Sequence, residues 1–284
     1  MQIAHQIDRH SRKTNSPHPR IAIAAELRYF THRQPAALGL ALLAAGHEAE
    51  FLDPTSRAPL PDLDLLVVRG RSPEIFALLE RAEAKGIRTT NRRAAIAAVV
   101  DKSSMGRALE SAGIPTPRTR VGSFAAVARD SRPEDFPMVV KPVFGDNARG
   151  VRVVASREEL LSLEWKEPEV IAQPYLPSDG FDLKLYVAGE EVRAVKKPSP
   201  LATGMNVAAL PVTVTPELRA LALRCGVIFG LDLFGVDCIE TPGGPVVIEV
   251  NDFPNYSGLG EMDGFLARFI LDRARYSVSC GSRR

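Results

Sequence analysis

Short apolar runs alternate with amphipathic ones from Arg20 onward, and that alternation sets the expected architecture. Ile21–Ala25 is uninterruptedly apolar and flanked by polar residues, the pattern of a short buried strand. Pro35 to Ala45 is rich in Ala and Leu and meets Gly46, which predicts a helix with a glycine stop. Glu48 to Leu52 and Leu63 to Val68 predict two more strands. Ser72-Pro73-Glu74 then supplies a cap, a proline at the first helical position and an acid in the first turn of a helix running to Lys85-Gly86. Strands alternating with helices predict a parallel α/β lobe over residues 20–98. Asn91 is expected to cap a helix from Arg92 to Val100, and Ser103 to Ala112 to form another, stopped by Gly113-Ile-Pro-Thr-Pro117.

After that the pattern becomes one of hairpins. Phe136 to Val143 and Val151 to Ala155 are strands joined by the glycine-flanked stretch Phe144-Gly-Asp-Asn-Ala-Arg-Gly150. Loops of this kind expose backbone N–H groups that can close over phosphates, although most are only turns. Ser156-Arg-Glu-Glu159 is a capping box opening a helix. Glu169 to Pro177 is a strand running into a Pro-punctuated linker, and Asp182–Ala188 with Glu191–Lys197 form a second hairpin, carrying the basic residues Lys184, Arg193, Lys196 and Lys197. Thr215-Pro-Glu caps a helix through Phe229, whose apolar spacing is that of core.

The most informative stretch is Phe234-Gly-Val-Asp-Cys-Ile-Glu240, Thr-Pro-Gly-Gly, Pro245-Val-Val-Ile-Glu-Val-Asn-Asp252. Folded about Gly243, it pairs Ile239 with Val247, Asp237 with Glu249 and Gly235 with Asn251. Asp237, Glu249 and Asn251 then share one face. Like charges directly opposed on a sheet destabilise it, which calls for a cation between them. Two carboxylates and an amide oxygen are hard donors, and magnesium with phosphate suits so sparse a set. The bland alternative is a solvated sheet face with scattered charges.

Composition narrows the function class. The 284 residues suffice for several lobes around a cleft, and no apolar run reaches the ~20 residues of a membrane span. A net charge of +2 gives no electrostatic case for nucleic acid as partner. Cys225, Cys238 and Cys280 are widely spaced and odd in number, which predicts free thiols in a reducing, cytoplasmic setting. Residues 1–19 are polar and basic, without the apolar core of a secretory signal, and are expected to be a flexible tail. No GxGxxG follows the first strand, so the dinucleotide fingerprint is absent.

In this order, Asp101-Lys102, Val139-Val-Lys-Pro142 with its glycine loop, Gln173-Pro-Tyr-Leu176, Asp182-Leu-Lys184, Gly235-Val-Asp237 and Ile248-Glu-Val-Asn251 resemble the ATP-grasp superfamily. Within it the chain looks most like the RimK-like and LysX-like carboxylate–amine ligases, over about residues 20–275. The resemblance implies three α/β lobes: an N-terminal one (20–98), a central one (99–170) and a C-terminal one (171–284), with ATP between the last two. It implies ligation through an acylphosphate, with ATP and Mg2+ as cofactors and small-molecule or peptide carboxylates and amines as substrates. Neither nucleic acid nor membrane is an expected partner, and a homo-oligomer is left open.

At matching positions, Lys102 and Lys141 would contact the phosphates and the loop Gly145 to Gly150 would close over them. Gln173, Pro174, Tyr175 and Leu176 would read adenine, with Ile248 against the ring, and Asp182, or else Asp179, would approach the ribose. Asp237, Glu249 and Asn251 match the metal ligands. Lys184, with Lys141, would act in catalysis, but Lys184 stands where these ligases usually have Arg and so lacks a bidentate fork. Arg69, Arg149, Arg193, Lys197 and Asn206 are candidates for substrate contact, although the segment Lys196 to Asn206 lacks the usual Gly-Gly. Leu185 to Lys197 and Asp252 to Gly258 also resemble the inositol tris/tetrakisphosphate kinases, which makes a small-molecule kinase the alternative function.

Overall fold

A computed structural model describes residues 18–275, apart from 33, 146–147 and 203–206. The expected tail and Asn206 therefore lie outside the described residues, the tail but for its last two positions. The first sheet is parallel, in the order β2-β1-β3-β4, from β1 (Ile21–Ala25), β2 (Ala49–Leu52), β3 (Leu65–Arg69) and β4 (Arg88–Thr89). Side chains alternate across β1. Ala22 and Ala24 face helix α2 (Pro73–Ala84), while Ile21 and Ile23 face α1 (Ala36–Ala44) and the last helix of the chain. Ser72 caps α2 by accepting a hydrogen bond from Ile75 N, as its sequence predicts.

Two short helices follow, α3 (Arg93–Ala98) and α4 (Lys102–Ser111). Asn91 is not the cap expected of it. Its amide donates to the carbonyls of Leu233 and Asp252 and accepts from the N–H groups of Asp232 and Leu233, so its hydrogen-bonding capacity goes to distant backbone. α3 starts from Arg92 without a side-chain cap, and Asp101 caps the next helix, α4, accepting from Ser103 N and Ser104 N.

The second sheet is antiparallel, in the order β5-β8-β6-β7, from β5 (Arg120–Gly122), β6 (Met138–Lys141), β7 (Arg152–Val154) and β8 (Val170–Pro174). Helices α5 (Phe124–Asp130) and α6 (Arg157–Ser162) cover one face. The expected division at 170/171 cuts into β8, which belongs to this central sheet.

The third sheet is antiparallel in the order β11-β10-β9-β12-β13: β9 (Phe181–Ala188), β10 (Glu191–Pro198), β11 (Leu210–Val212), β12 (Leu233–Thr241) and β13 (Gly244–Asn251). One face packs on α7 (Pro216–Phe229) and on α4, through Leu183, Leu185, Val236 and Val250 against Met105, Leu109, Leu221 and Cys225. Although α4 precedes the central sheet in the chain, its core is that of the third. The opposite face is shared. Tyr186, Ala188 and Leu233 meet α8 (Met262–Arg275), which is sandwiched against the first sheet. Where α8 stops, Lys184, Asp182, Asp237 and Ile239 continue the same face into an open cleft.

Candidate active site

The cleft encloses about 530 Å³ and is lined from all three lobes. Its floor is the β12–β13 hairpin. Gly235 pairs with Asn251 and Asp237 with Glu249, as read from sequence. The pairing of Ile239 with Val247 is not found: Ile239 faces Val246 and Cys238 faces Val247. The turn contains two residues, Pro242 and Gly243, and the resulting one-residue mismatch is absorbed by a β-bulge beside Asp237. The bulge lets the consecutive residues Ile248 and Glu249 both line the cleft, along with Asn251. A Cβ on Gly235 would lie 2.8 Å from Pro254 Cγ, so glycine is what lets the segment after β13 cross so closely.

The opposed carboxylates are each held by a lysine. Lys102 Nζ donates to Glu249 Oε1 at 2.5 Å and to the Gly145 carbonyl at 2.8 Å, and Lys184 Nζ donates to Asp237 Oδ2 at 2.8 Å. Burial pushes the Glu249 carboxyl up, but Lys102, Lys141 and Arg71 outweigh it and hold its pKa below the ordinary value. Burial likewise opposes the charge on Lys184, yet the Asp237 carboxylate keeps it protonated to unusually high pH. Lys141 has no such close acid among the described residues. Burial lowers its pKa to about 8, with Glu249 opposing and Lys102 assisting. Among the described residues no three His, Cys, Asp or Glu side chains gather to hold a metal. Two carboxylates and the Asn251 amide are nonetheless an all-oxygen set on one wall, the donor chemistry of a hard cation that completes its shell with phosphate and water.

Of the other candidates, Gly145, Arg149, Gln173, Pro174, Tyr175, Leu176 and Asp182 line the cleft. Burial raises the Asp182 pKa, with Lys184 opposing. Asp179 does not line it and pairs with Lys196 instead. Gly150 also lies off the lining, at the base of the loop. Its φ is +75°, and a Cβ there would lie 3.3 Å from Pro142 Cδ. Arg193 is not brought to the site. It shares a face of β10 with Lys197 but sits four residues away, about 13 Å at ~3.3 Å per residue, and pairs with Glu191.

Arg69 and Lys197 line the cleft beside the segment that follows β13, where they meet Asn255 and Ser257. Arg69 is 3% exposed and has no carboxylate partner among the described residues. Its guanidinium donates to the Gln34 carbonyl and to Asn255 Oδ1, and lies 4.3 Å from the Tyr29 ring centroid and 5.2 Å from that of Phe253. Lys197 donates to Ser257 Oγ, and burial, assisted by Lys184, lowers its pKa to about 8. Arg71, paired with Asp252 through Nε at 2.6 Å, and Tyr29 are lining residues for which sequence reasoning assigned no role. The only hint of Arg71 was its place one residue beyond Arg69-Gly70 at the end of β3, where the loops of a parallel sheet bind ligands.

Three comparisons bear on this geometry. A family model described as a RimK-like ATP-grasp domain matches residues 99–266. The chain is 30% identical over 253 residues to the probable alpha-L-glutamate ligase of Legionella pneumophila, covering 76% of this chain and 82% of that protein. Its fold is similar to the crystal structure of a RimK domain ATP-grasp protein from Sphaerobacter thermophilus, with a TM-score of 0.68 and 27% identity over 89% of this chain and 99% of that one. D-alanine–D-alanine ligase of Bacillus anthracis, complexed with ATP, shares the fold at a TM-score of 0.66 and 18% identity, covering 90% and 96%.

Proposed function

The chain belongs to the RimK-like ATP-grasp family and is an ATP-dependent ligase, and from that premise we propose how its cleft divides the work of joining a carboxylate to an amine. The observation that carries the reading is the composition of the cleft wall: seven Arg and Lys side chains against four carboxylates, with Asp237, Glu249 and Asn251 on one hairpin facing Lys102, Lys141 and Lys184. A surplus of cations suits a triphosphate together with a substrate carboxylate.

Lys102 and Lys141 hold the phosphates, and the loop Gly145 to Gly150 covers them. Gln173 to Leu176 and Ile248 form the adenine pocket, and Asp182 takes the ribose. Asp237, Glu249 and Asn251 would hold Mg2+, which would supply positive charge to neutralise the phosphates. A substrate carboxylate oxygen attacks the γ-phosphorus, and ADP departs to leave an acylphosphate. The amine nitrogen then attacks the acyl carbon, inorganic phosphate leaves, and the nitrogen loses a proton. Lys184 sits beside Asp237, where it can stabilise charge developing on the transferred group. Arg69, Lys197 and Arg149 orient the carboxylate and amine substrates, a small molecule or peptide; the name of the Legionella relative favours L-glutamate as one of them. Cys225 and Cys238, both free and buried, support a cytoplasmic setting. No helix among the described residues is long and apolar enough to cross a membrane.

An ADP-release screen over amino acids and peptides, run with hydroxylamine present, tests the reading. The expected result is ADP formed together with a hydroxamate, because acylphosphate is trapped by hydroxylamine and a phosphate ester is not. ADP release with the phosphoryl group retained on the product and no hydroxamate would establish the kinase alternative.

A further inference from the structure

The cations of the cleft divide by partner. Arg71 is paired with Asp252, Lys102 with Glu249 and Lys184 with Asp237. Arg69 and Lys197 are bonded to no acid among the described residues. Asp252, whose charge Arg69 feels, is bonded to Arg71. Asp182, opposite Lys197 on β9, hydrogen-bonds with Ser199. A buried charge is ordinarily paired, and one that is not loses favour for its own charged form. Burial does lower both pKa values, and Lys184 adds to the effect on Lys197.

The two side chains are nevertheless built into one place. Arg69 Nη2 donates to Asn255 Oδ1, and Lys197 Nζ donates to Ser257 Oγ at 2.8 Å. Those acceptors stand two positions apart on one segment, so their Cα atoms are at most ~7 Å apart. Tyr186 pins that segment, its hydroxyl 3.0 and 3.2 Å from the carbonyl oxygens of Asn255 and Ser257. The Arg69 guanidinium also lies against the rings of Tyr29 and Phe253, which fix its plane. Tyr29 comes from the 3-10 turn Leu27–Thr31 of the first lobe. An arginine carries five N–H donors, and here Nε is buried with no partner among the described residues. Both cations line the cleft.

We propose that Arg69 and Lys197 together bind a carboxylate that does not react, so that one substrate is an amino acid or a diacid rather than a simple amine or monoacid. The proposal rests on the ligase reading for its pair of substrates and deepens it. A planar fork beside a point charge suits the two oxygens of one carboxylate. On the roles proposed above, the triphosphate has its own cations in Lys102, Lys141 and Lys184, which leaves this pair for a second anion. The held carboxylate belongs either to the amine, as the α-carboxylate of an amino acid, or to the donor, as the carboxylate that is not activated.

Titration calorimetry on the full-length protein, saturated with a non-hydrolysable ATP analogue and magnesium, tests the subsite without turnover. The probes are the common α-amino acids and the straight-chain diacids from malonate to adipate, each beside its neutral amide. At least one free acid should bind, and its amide should not. Arg69→Met should weaken that binding about thirtyfold or more and Lys197→Met about tenfold, with nucleotide affinity unchanged. Lys197→Met removes a single side-chain bond, so it carries the test if Arg69→Met fails to fold. Hydroxamate formation, in which hydroxylamine replaces the amine, then separates the two sources. A donor KM raised in that assay by the variants puts the held carboxylate on the donor. A raised KM for the amine alone, in amide formation, puts it on the amine. A wild type that binds none of the probes, or binds the amides as tightly as the acids, overturns the proposal. Folded variants that bind acid as tightly as the wild type overturn it too. Acid binding lost in the variants, with no hydroxamate from the wild type, overturns the ligase reading instead and supports the subsite.

Discussion

The first and third sheets are fused, whereas the second stands apart. The first and third share α8 and a single core that runs from Ile21 and Leu38 through Phe265 and Ile270 to Tyr186 and Leu233. Asn91 joins them with four hydrogen bonds to the backbone of β12 and its neighbours, and Arg88 donates to the carbonyls of Arg273 and Ala274 at the end of α8. The central sheet has a separate core around Met138, Val140, Leu160 and Ala172. Its polar bonds to the rest of the molecule include those of the Val143 and Gly145 carbonyls, which accept from Lys102 N and Lys102 Nζ of α4, a helix of the third sheet's core. The side of the cleft that carries Asp237 and Arg69 is thus one packed body, and the side that carries Lys141 is a second body with its own core.

The largest effect that tests this contrast is on the rigid floor. Glu249→Gln should lower turnover by two or more orders of magnitude, measured as ADP release. It should also lower the apo Tm, by the equivalent of about 1–3 kcal/mol, because Lys102 loses its counter-ion. That reverses the expectation from the hairpin alone, where two bare carboxylates would repel and neutralising one would stabilise. In the wild type the folded Glu249 pKa lies below its unfolded value, so its contribution is present above about pH 4.5 and fades as pH falls through the folded pKa. The variant should lose that part of the acid dependence. An unchanged Tm would mean that the Lys102 pair contributes nothing to the fold.

Next is the weld. Asn91→Ala strands four backbone groups, two of them on Leu233 in the core, and should cost about 2–4 kcal/mol. Urea unfolding followed by far-UV circular dichroism and by Trp165 fluorescence, a probe on the central lobe, separates the regions. The circular dichroism midpoint should move further than the Trp165 midpoint. Equal movement would make the three lobes one cooperative unit.

The smallest effect is on the side with the separate core and has the opposite sign. Lys141 titrates at about 8 in the fold and near 10.4 unfolded, so its charged form is disfavoured in the native state at pH 7. Stability should rise between pH 8 and 10.5, where the unfolded chain binds the extra proton. Lys141→Met should therefore raise the apo Tm at pH 7, lose that advantage by pH 10.5, and abolish the Tm increase that ATP with magnesium gives the wild type. A lower apo Tm at neutral pH would show that Lys141 is a structural cation.

What could be read from the sequence divides along local and non-local lines. The helix caps Ser72 and Thr215, the first strands, and the face shared by Asp237, Glu249 and Asn251 follow from residues within a few positions of one another. The bulge was missed because loop length, not strand composition, decides the register near a turn. The Asn91 weld and the Arg71–Asp252 pair link residues more than a hundred positions apart, and nothing in either local pattern announces its partner. The division at 99 and 171 follows chain order, whereas α4 packs in the core of the third sheet and β8 pairs in the central one, because chain order is not spatial order here. Arg193 is one of four basic residues on its hairpin, and sharing a hairpin with Lys184 and Lys197 does not fix its position along the strand.

The lysine–carboxylate pairs on the hairpin have one more consequence. With Lys102 on Glu249 and Lys184 on Asp237, the resting floor is already neutralised from within. On the roles proposed above, occupancy is an exchange of partners: the lysines turn from the carboxylates to phosphate oxygens, and only then are the carboxylates released as ligands. Neither half of the exchange is favourable alone, because each strands a partly buried charge. Nucleotide and cation should therefore bind as a pair, each enhancing the other's affinity by the same factor.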